Sequence, residues 1–114
     1  MSNEMSSERT SLSTKGWRAW KNRGPLDIID LVLLMCQTGS LKTRIMYKCN
    51  LNSKQIKMYL DFLVEKQLLT KEVDPTLGSR LLYLTSQKGR RYIEAYNTML
   101  KLLSIDPETR GPRA

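Results

Sequence analysis

The sequence predicts a mainly α-helical domain that carries one two-stranded β-hairpin, an α+β fold. Two observations lead to this prediction. Apolar residues recur at helical spacing in four segments, and two short apolar runs flank an Asp-Pro and Gly turn between the third and fourth segments. A chain of 114 residues can bury one hydrophobic core but is too short for two. We therefore expect one domain with short tails.

The first helix is predicted to begin at Pro25 and to stop before Gly39, because proline suits the first turn of a helix and glycine suits its C-terminal end. Residues 26–36 are apolar on nearly every side, so this helix needs neighbours on more than one face. The same stretch carries Asp27 and Asp30 and is about half the roughly twenty residues that a membrane span requires. We interpret it as a core helix.

The next two helices are predicted from their caps and their apolar spacing. Ser40 can cap a short helix over 41–47. Asn52 and Gln55 have the spacing of a capping box, which opens a third helix to about Lys66. The apolar residues of this third helix share one face: Ile56, Tyr59, Leu60, Leu63 and Val64.

A hairpin and a final helix complete the predicted domain. Residues 68–73 and 81–85 have the composition of two strands, and the turn between them contains Asp-Pro and Gly. Thr85 or Ser86 then caps a helix that runs to about residue 104.

The order helix, helix, turn, helix, hairpin, helix is that of a winged helix-turn-helix, in which the third helix enters the major groove of DNA and the hairpin forms a wing on the backbone. This order divides the chain into four parts. They are a flexible basic N-terminal extension over 1–23, a winged helix-turn-helix domain over 24–85, a C-terminal helix that forms a dimer over 86–104, and a polar tail over 105–114.

Charge indicates a polyanionic partner. The chain has 19 Lys and Arg against 11 Asp and Glu, a net charge of +8, which favours nucleic acid first and an anionic membrane surface second. No acid occurs over 31–60, whereas five cations lie there: Lys42, Arg44, Lys48, Lys54 and Lys57. The alternative is a solvated basic face that binds no ligand.

Contacts to DNA are expected at the N-terminal end of the third helix, since Asp61 and Glu65 further along would repel phosphates. Gln55 has an amide that can read adenine, or it serves only the capping box. The predicted DNA-binding residues are Lys42, Arg44, Lys48, Ser53, Lys54, Gln55, Lys57 and Met58 in the helix-turn-helix, and Lys71 and Arg80 on the phosphates beside the wing.

Composition argues against enzymatic chemistry. The chain has no histidine, which removes the usual general base and the commonest zinc ligand, and Cys36 and Cys49 do not form a C-x-x-C pair. We expect both cysteines to be buried small hydrophobes, and we expect no metal, cofactor or small-molecule substrate. Residues 1–24 lack the apolar core of a secretory signal, so a cytoplasmic, nucleoid-associated protein is expected.

The last helix carries a second apolar seam. Tyr92, Tyr96, Met99 and Leu103 follow heptad spacing, with Ile93 and Leu100 beside them. We predict a symmetric homodimer through Tyr92, Tyr96, Met99, Leu100 and Leu103. The alternative is that this helix packs only on the first helix of its own chain.

Two tryptophans interleave with four cations over 15–24. Trp17 and Trp20 could belong to an arm that reaches a minor groove or to a stacking surface for single-stranded nucleic acid. We favour the third alternative, in which both pack on the domain.

The segment 24–103 resembles the archaeal winged-helix DNA-binding family that includes small chromatin proteins. The residues that carry the resemblance are Lys42 to Lys48, Asn50-Leu51-Asn52, Lys57 to Leu60 with Leu63, and Leu84-Thr85 with Lys88-Gly89 and Tyr92. The resemblance implies DNA contacts at the five cations of the helix-turn-helix, Arg80 in the wing, and a dimer built by the last helix. It departs at the long N-terminal extension and the short last helix.

These predictions give a non-enzymatic protein that binds double-stranded DNA, either as a transcriptional regulator or as a chromatin-type protein. The alternative is a winged-helix module that docks a protein of the transcription machinery, with an incidental basic face.

Overall fold

The computed structural model describes residues 23–106. The extension before Arg23, with Trp17 and Trp20, and the tail after Asp106 lie outside the described residues. The elements are helix α1 (Pro25–Met35), strand β1 (Ser40–Leu41), helices α2 (Lys42–Lys48) and α3 (Ser53–Glu65), strand β2 (Leu69–Asp74), a 3-10 turn (Pro75–Leu77), strand β3 (Arg80–Thr85) and helix α4 (Gln87–Leu102). This arrangement is a winged helix-turn-helix of the α+β class, as the sequence predicted.

Helix α1 starts as predicted, with Pro25 in its first turn and the Gly24 N–H donating to the Asp27 carboxylate at 2.9 Å. The residues that it buries include Ile28, Val32 and Leu33. Wide burial follows because α1 packs against α4 and β3 and shares one hydrophobic core with the helix-turn-helix, as its apolarity on several faces required.

The predicted cap at Ser40 is wrong. Ser40 and Leu41 are extended and pair antiparallel with β3 opposite Tyr83 and Leu82, and α2 begins at Lys42 without a side-chain cap. The Ser40 hydroxyl instead donates to the Met35 carbonyl at 2.8 Å, which satisfies one of the carbonyls left open at the end of α1. The sheet therefore has three strands in the order β1-β3-β2, one more than the sequence predicted.

The predicted capping box of α3 is present in full. The Gln55 N–H donates to Asn52 Oδ1 at 2.8 Å, and the Asn52 N–H donates to Gln55 Oε1 at 3.0 Å. The predicted inner face is buried at Ile56, Tyr59 and Leu60, and also at Leu63 one turn further on. These contacts fix the direction in which the opposite face of α3 points.

The hairpin forms between β2 and β3 in the register Leu69 opposite Thr85 through Asp74 opposite Arg80. Its turn is stabilised by Asp74 Oδ1, which accepts hydrogen bonds from the N–H and the hydroxyl of Thr76. Gly78 has a φ of 72°, a left-handed conformation that favours glycine. The end of the hairpin near the domain is buried, and its tip is exposed.

The start of α4 is tied to α1 and to the C-terminal end of α3. The Thr85 hydroxyl donates to the Leu33 carbonyl of α1 at 2.6 Å, and the Lys88 ammonium donates to the Lys66 carbonyl at 2.9 Å. Ser86 is the N-cap, because its hydroxyl oxygen accepts from the Gly89 N–H. Leu84-Thr85 and Lys88-Gly89, which contribute to the family resemblance, therefore form the junction that fixes α4 to the domain.

Cys36 and Cys49 are buried in the same core and both are free thiols, as predicted. Burial raises the pKa of the Cys36 thiol to about 12 and that of Cys49 to about 11. Both therefore act as small apolar groups at neutral pH.

Candidate nucleic-acid interface

The helix-turn-helix is held by apolar residues that leave its cations outside. Ile45 is fully buried under α2, and Leu51 is buried in the turn, where its N–H donates to the Met46 carbonyl at 2.9 Å. Lys42 is exposed in the first turn of α2, and Arg44 is exposed one position before Ile45. Lys48 is half-buried at the end of the helix.

The first two turns of α3 present the side chains that the sequence analysis singled out. Ser53, Lys54, Lys57 and Met58 are all exposed, and Met58 keeps 57% of its surface accessible. Gln55 is exposed as well, but its carbonyl oxygen already accepts from Asn52. Bidentate contact with adenine would require that hydrogen bond to break.

Lys57 has an acidic partner one turn further along α3. Its ammonium lies 2.8 Å from Asp61 Oδ2, and both side chains are about two-thirds exposed, at 70% and 67%. The hydrogen bond from Lys57 holds the pKa of the Asp61 carboxyl below its usual value, and the charges of Lys71 and Lys42 act in the same direction. Cations from α2, α3 and β2 therefore all act on the carboxylate of Asp61. The i,i+4 spacing could have predicted this pair from the sequence.

Lys71 and Arg80 leave the hairpin from opposite faces. The register places Lys71 beside Tyr83 and Arg80 beside Asp74, and neighbouring positions along a strand alternate between faces. Lys71 is on the face toward α3, since its charge acts on Asp61. The structure therefore brings Lys71 to the surface of Lys42 and Lys57, whereas Arg80 belongs to the other side of the wing.

Sequence reasoning missed several exposed side chains on these elements. Tyr47 on α2 is 85% exposed, and Phe62 on α3 is exposed one turn beyond Met58, with the Lys66 ammonium 5.7 Å from its ring centroid. The Arg23 guanidinium donates to the Asn50 carbonyl at 3.3 Å, which adds a cation beside the turn of the helix-turn-helix. Phe62 is four residues after Met58, so helical spacing could have predicted that both lie on the same face of α3.

The predicted dimerisation residues divide into two groups. Tyr96 and Leu100 are buried with Ile105 in the chain's own core, and the Tyr96 hydroxyl donates to the Asp27 carboxylate of α1. Tyr92 is half-buried, and its hydroxyl donates to the Leu26 carbonyl at 2.7 Å. Helix α4 thus packs on α1 of the same chain through these tyrosines.

Several apolar side chains of α4 and α1 remain exposed beyond this contact. They are Met99 and Leu103 of the predicted seam, Leu102, which is 81% exposed, and Leu26 of α1. A dimer through α4 stays a prediction, and Met99 and Leu103 are the seam residues that remain exposed for it.

Within residues 23–106, no helix has the length and apolar content needed to cross a membrane. The same part of the chain contains no group of three or more His, Cys, Asp or Glu side chains that could hold a metal ion.

The fold and this basic surface define a winged helix-turn-helix protein, and a family comparison agrees. Residues 22–104 match the family model described as winged helix-turn-helix, so the chain belongs to that family. Among curated proteins, no sequence relative matches this chain.

Solved structures share the fold. Sso10a-2, a DNA-binding protein from Sulfolobus solfataricus, is 24% identical with a TM-score of 0.63, over 72% of this chain and 83% of that one. A probable transcriptional regulator from Pseudomonas aeruginosa is 19% identical with a TM-score of 0.59, over 90% and 73%. BpsR of Bordetella bronchiseptica, whose DNA binding is regulated by 6-hydroxynicotinic acid, is 13% identical with a TM-score of 0.59, over 89% and 72%. The family match and these folds agree with the archaeal winged-helix resemblance seen in the sequence.

Proposed function

We propose that this protein binds double-stranded DNA as a transcriptional regulator or chromatin-type protein, with α3 in the major groove and the wing on the phosphate backbone. The observation that carries the proposal is the set of exposed cations on one surface, namely Lys42 and Arg44 of α2, Lys54 and Lys57 of α3 and Lys71 of β2. Such a set on a helix-turn-helix has the charge and the shape of a DNA-binding surface. Membership of the winged helix-turn-helix family supports DNA binding and a non-enzymatic role.

The N-terminal end of α3 is the proposed point of closest approach. The first turn of a helix has backbone N–H groups without intrahelical partners and a partial positive charge, both of which favour a phosphate. Asn52 satisfies one of these groups, and Lys54 and Ser53 lie beside the rest. Base reading by Met58 through a thymine methyl fits its exposure beside Lys54 and Lys57 on α3.

We also propose that two copies act together as a homodimer in the nucleoid. The exposed side chains of Leu26, Met99, Leu102 and Leu103 are apolar surface that a second copy would cover. A two-fold dimer presents two α3 helices to one duplex, and winged-helix dimers of this kind bind half-sites about one helical turn apart. The relatives named as a DNA-binding protein and as a probable transcriptional regulator support this role.

A second candidate is a protein-docking module of the transcription machinery. The exposed aromatic and apolar side chains Tyr47, Met58 and Phe62 favour it, because large apolar groups on a surface mark contact sites. The two candidates differ in whether naked duplex DNA binds at all.

Fluorescence anisotropy with a labelled duplex of two helical turns separates them. Arg44→Ala should weaken binding by roughly ten-fold per subunit, the value of one charge-assisted hydrogen bond to phosphate. Lys101→Ala removes the same charge from α4, outside the proposed surface, and should leave the affinity unchanged. Equal losses in both variants, or no binding by the wild type, would favour the docking module.

A further inference from the structure

Asp61 is an acid inside a surface of cations. It lies on the exposed side of α3, its carboxylate is bonded to Lys57, and the charges of Lys42 and Lys71 also act on it. A surface built only for phosphate attraction gains nothing from a carboxylate at its centre, because like charges repel. The position therefore needs another explanation.

Helix stability does not supply that explanation. An exposed i,i+4 ion pair contributes little to helix stability, and the order here, with the cation N-terminal to the acid, is the weaker of the two. Aspartate is also among the poorer helix formers in a helix interior. Asp61 thus adds little to the folding of α3.

We propose that Asp61 is the residue that sets selectivity in DNA binding, by penalising non-selective contacts with the phosphate backbone. This inference rests on the proposed function. The Lys57–Asp61 pair carries no net charge, so it cancels one cation of the surface when any phosphate approaches the middle of α3. A phosphate that draws Lys57 away leaves the carboxylate facing a polyanion.

A base edge has the opposite effect on Asp61. The exocyclic amine of cytosine in the major groove donates a hydrogen bond that a carboxylate accepts. A register that places this amine at Asp61 satisfies the carboxylate and releases Lys57 to a phosphate. In registers that place no such donor at Asp61, the repulsion between its carboxylate and the phosphates remains. Selectivity is the difference in binding free energy between the two kinds of register.

Asp61→Asn removes the charge and keeps the shape, and Glu65→Gln is the matched control one turn further along the same exposed side of α3. Both are compared with the wild type on two probes: a pool of random-sequence duplexes and the duplex that the wild type selects from that pool. Circular dichroism and urea unfolding verify that both variants remain folded.

For Asp61→Asn, we expect about five-fold tighter binding to the random pool per subunit, which corresponds to one relieved like-charge contact in water. For this variant, the slope of the log of the binding constant against log salt concentration should become steeper by about one per subunit, because Lys57 now neutralises a phosphate. The ratio of selected to random affinity should fall, whereas Glu65→Gln keeps the wild-type ratio.

This inference would be overturned if Asp61→Asn kept the wild-type ratio of selected to random affinity, or if Glu65→Gln changed that ratio equally. Either result would leave the proposed function intact. A wild type that binds neither probe would overturn both.

Discussion

Gly89 provides a sharp test of how α4 is fixed to the domain. A Cβ atom at this position would lie 2.7 Å from Thr85 Cγ2 and in still closer contact with the Leu68 carbonyl oxygen. That oxygen already accepts a hydrogen bond from the Ser86 N–H at 3.0 Å, so it cannot turn aside. Gly89→Ala therefore forces α4 away from the α3–β2 turn.

The magnitude follows from two opposing effects. Alanine is about 1 kcal/mol better than glycine in a helix interior. Overpacking costs about 1–3 kcal/mol, and the upper end applies here because the obstruction at Leu68 is backbone. The net expectation for Gly89→Ala is about 2 kcal/mol of lost stability, or a fall of about 10 °C in Tm for a domain of this size.

Urea unfolding followed by circular dichroism measures this loss. Ala95→Gly is the control, since Ala95 is exposed on the same helix and reports helix propensity alone, with an expected loss of about 1 kcal/mol. A Gly89→Ala protein that is as stable as the wild type or more stable would refute the reasoning, because propensity would then outweigh the contact.

Three further outcomes are expected. The double substitution Met99→Glu and Leu103→Glu should convert a dimer to monomers in sedimentation velocity, and a wild type already monomeric at tens of micromolar would contradict the dimer. Lys71→Ala, the wing cation on the proposed surface, should weaken all duplexes about equally in anisotropy, since a phosphate contact carries no sequence information, and altered site preference would argue against that role. Cys36 and Cys49, with pKa values of about 12 and 11, should react with a thiol reagent only after denaturation, so rapid reaction of the native protein would disprove their burial.

The elements that the sequence predicted well are those specified by local chemistry. Asn52 and Gln55 form their capping box because both partners lie within one helical turn. Strand β1 was missed because a two-residue strand has no periodicity, and its pairing with β3 is decided by a segment about forty residues away.

The candidate site shows the same division. The exposure of Lys42 and Arg44 was predictable, because Lys and Arg side chains are almost never fully buried without a partner. The faces of Lys71 and Arg80 depend on hairpin register, which the sequence of a seven-residue connection did not specify. The burial of Tyr96 depends on tertiary contact with Asp27, and heptad spacing alone could not separate it from Met99.

If affinity for DNA comes from the basic surface of the helix-turn-helix, duplex binding must weaken steeply as salt concentration rises. If about four cations per subunit each neutralise a phosphate, a dimer should show a slope of log K against log salt near −7. Arg44→Ala should reduce that slope by about one per subunit, and Lys101→Ala should leave it unchanged. A wild-type slope near zero, or the same reduction in both variants, would contradict the account.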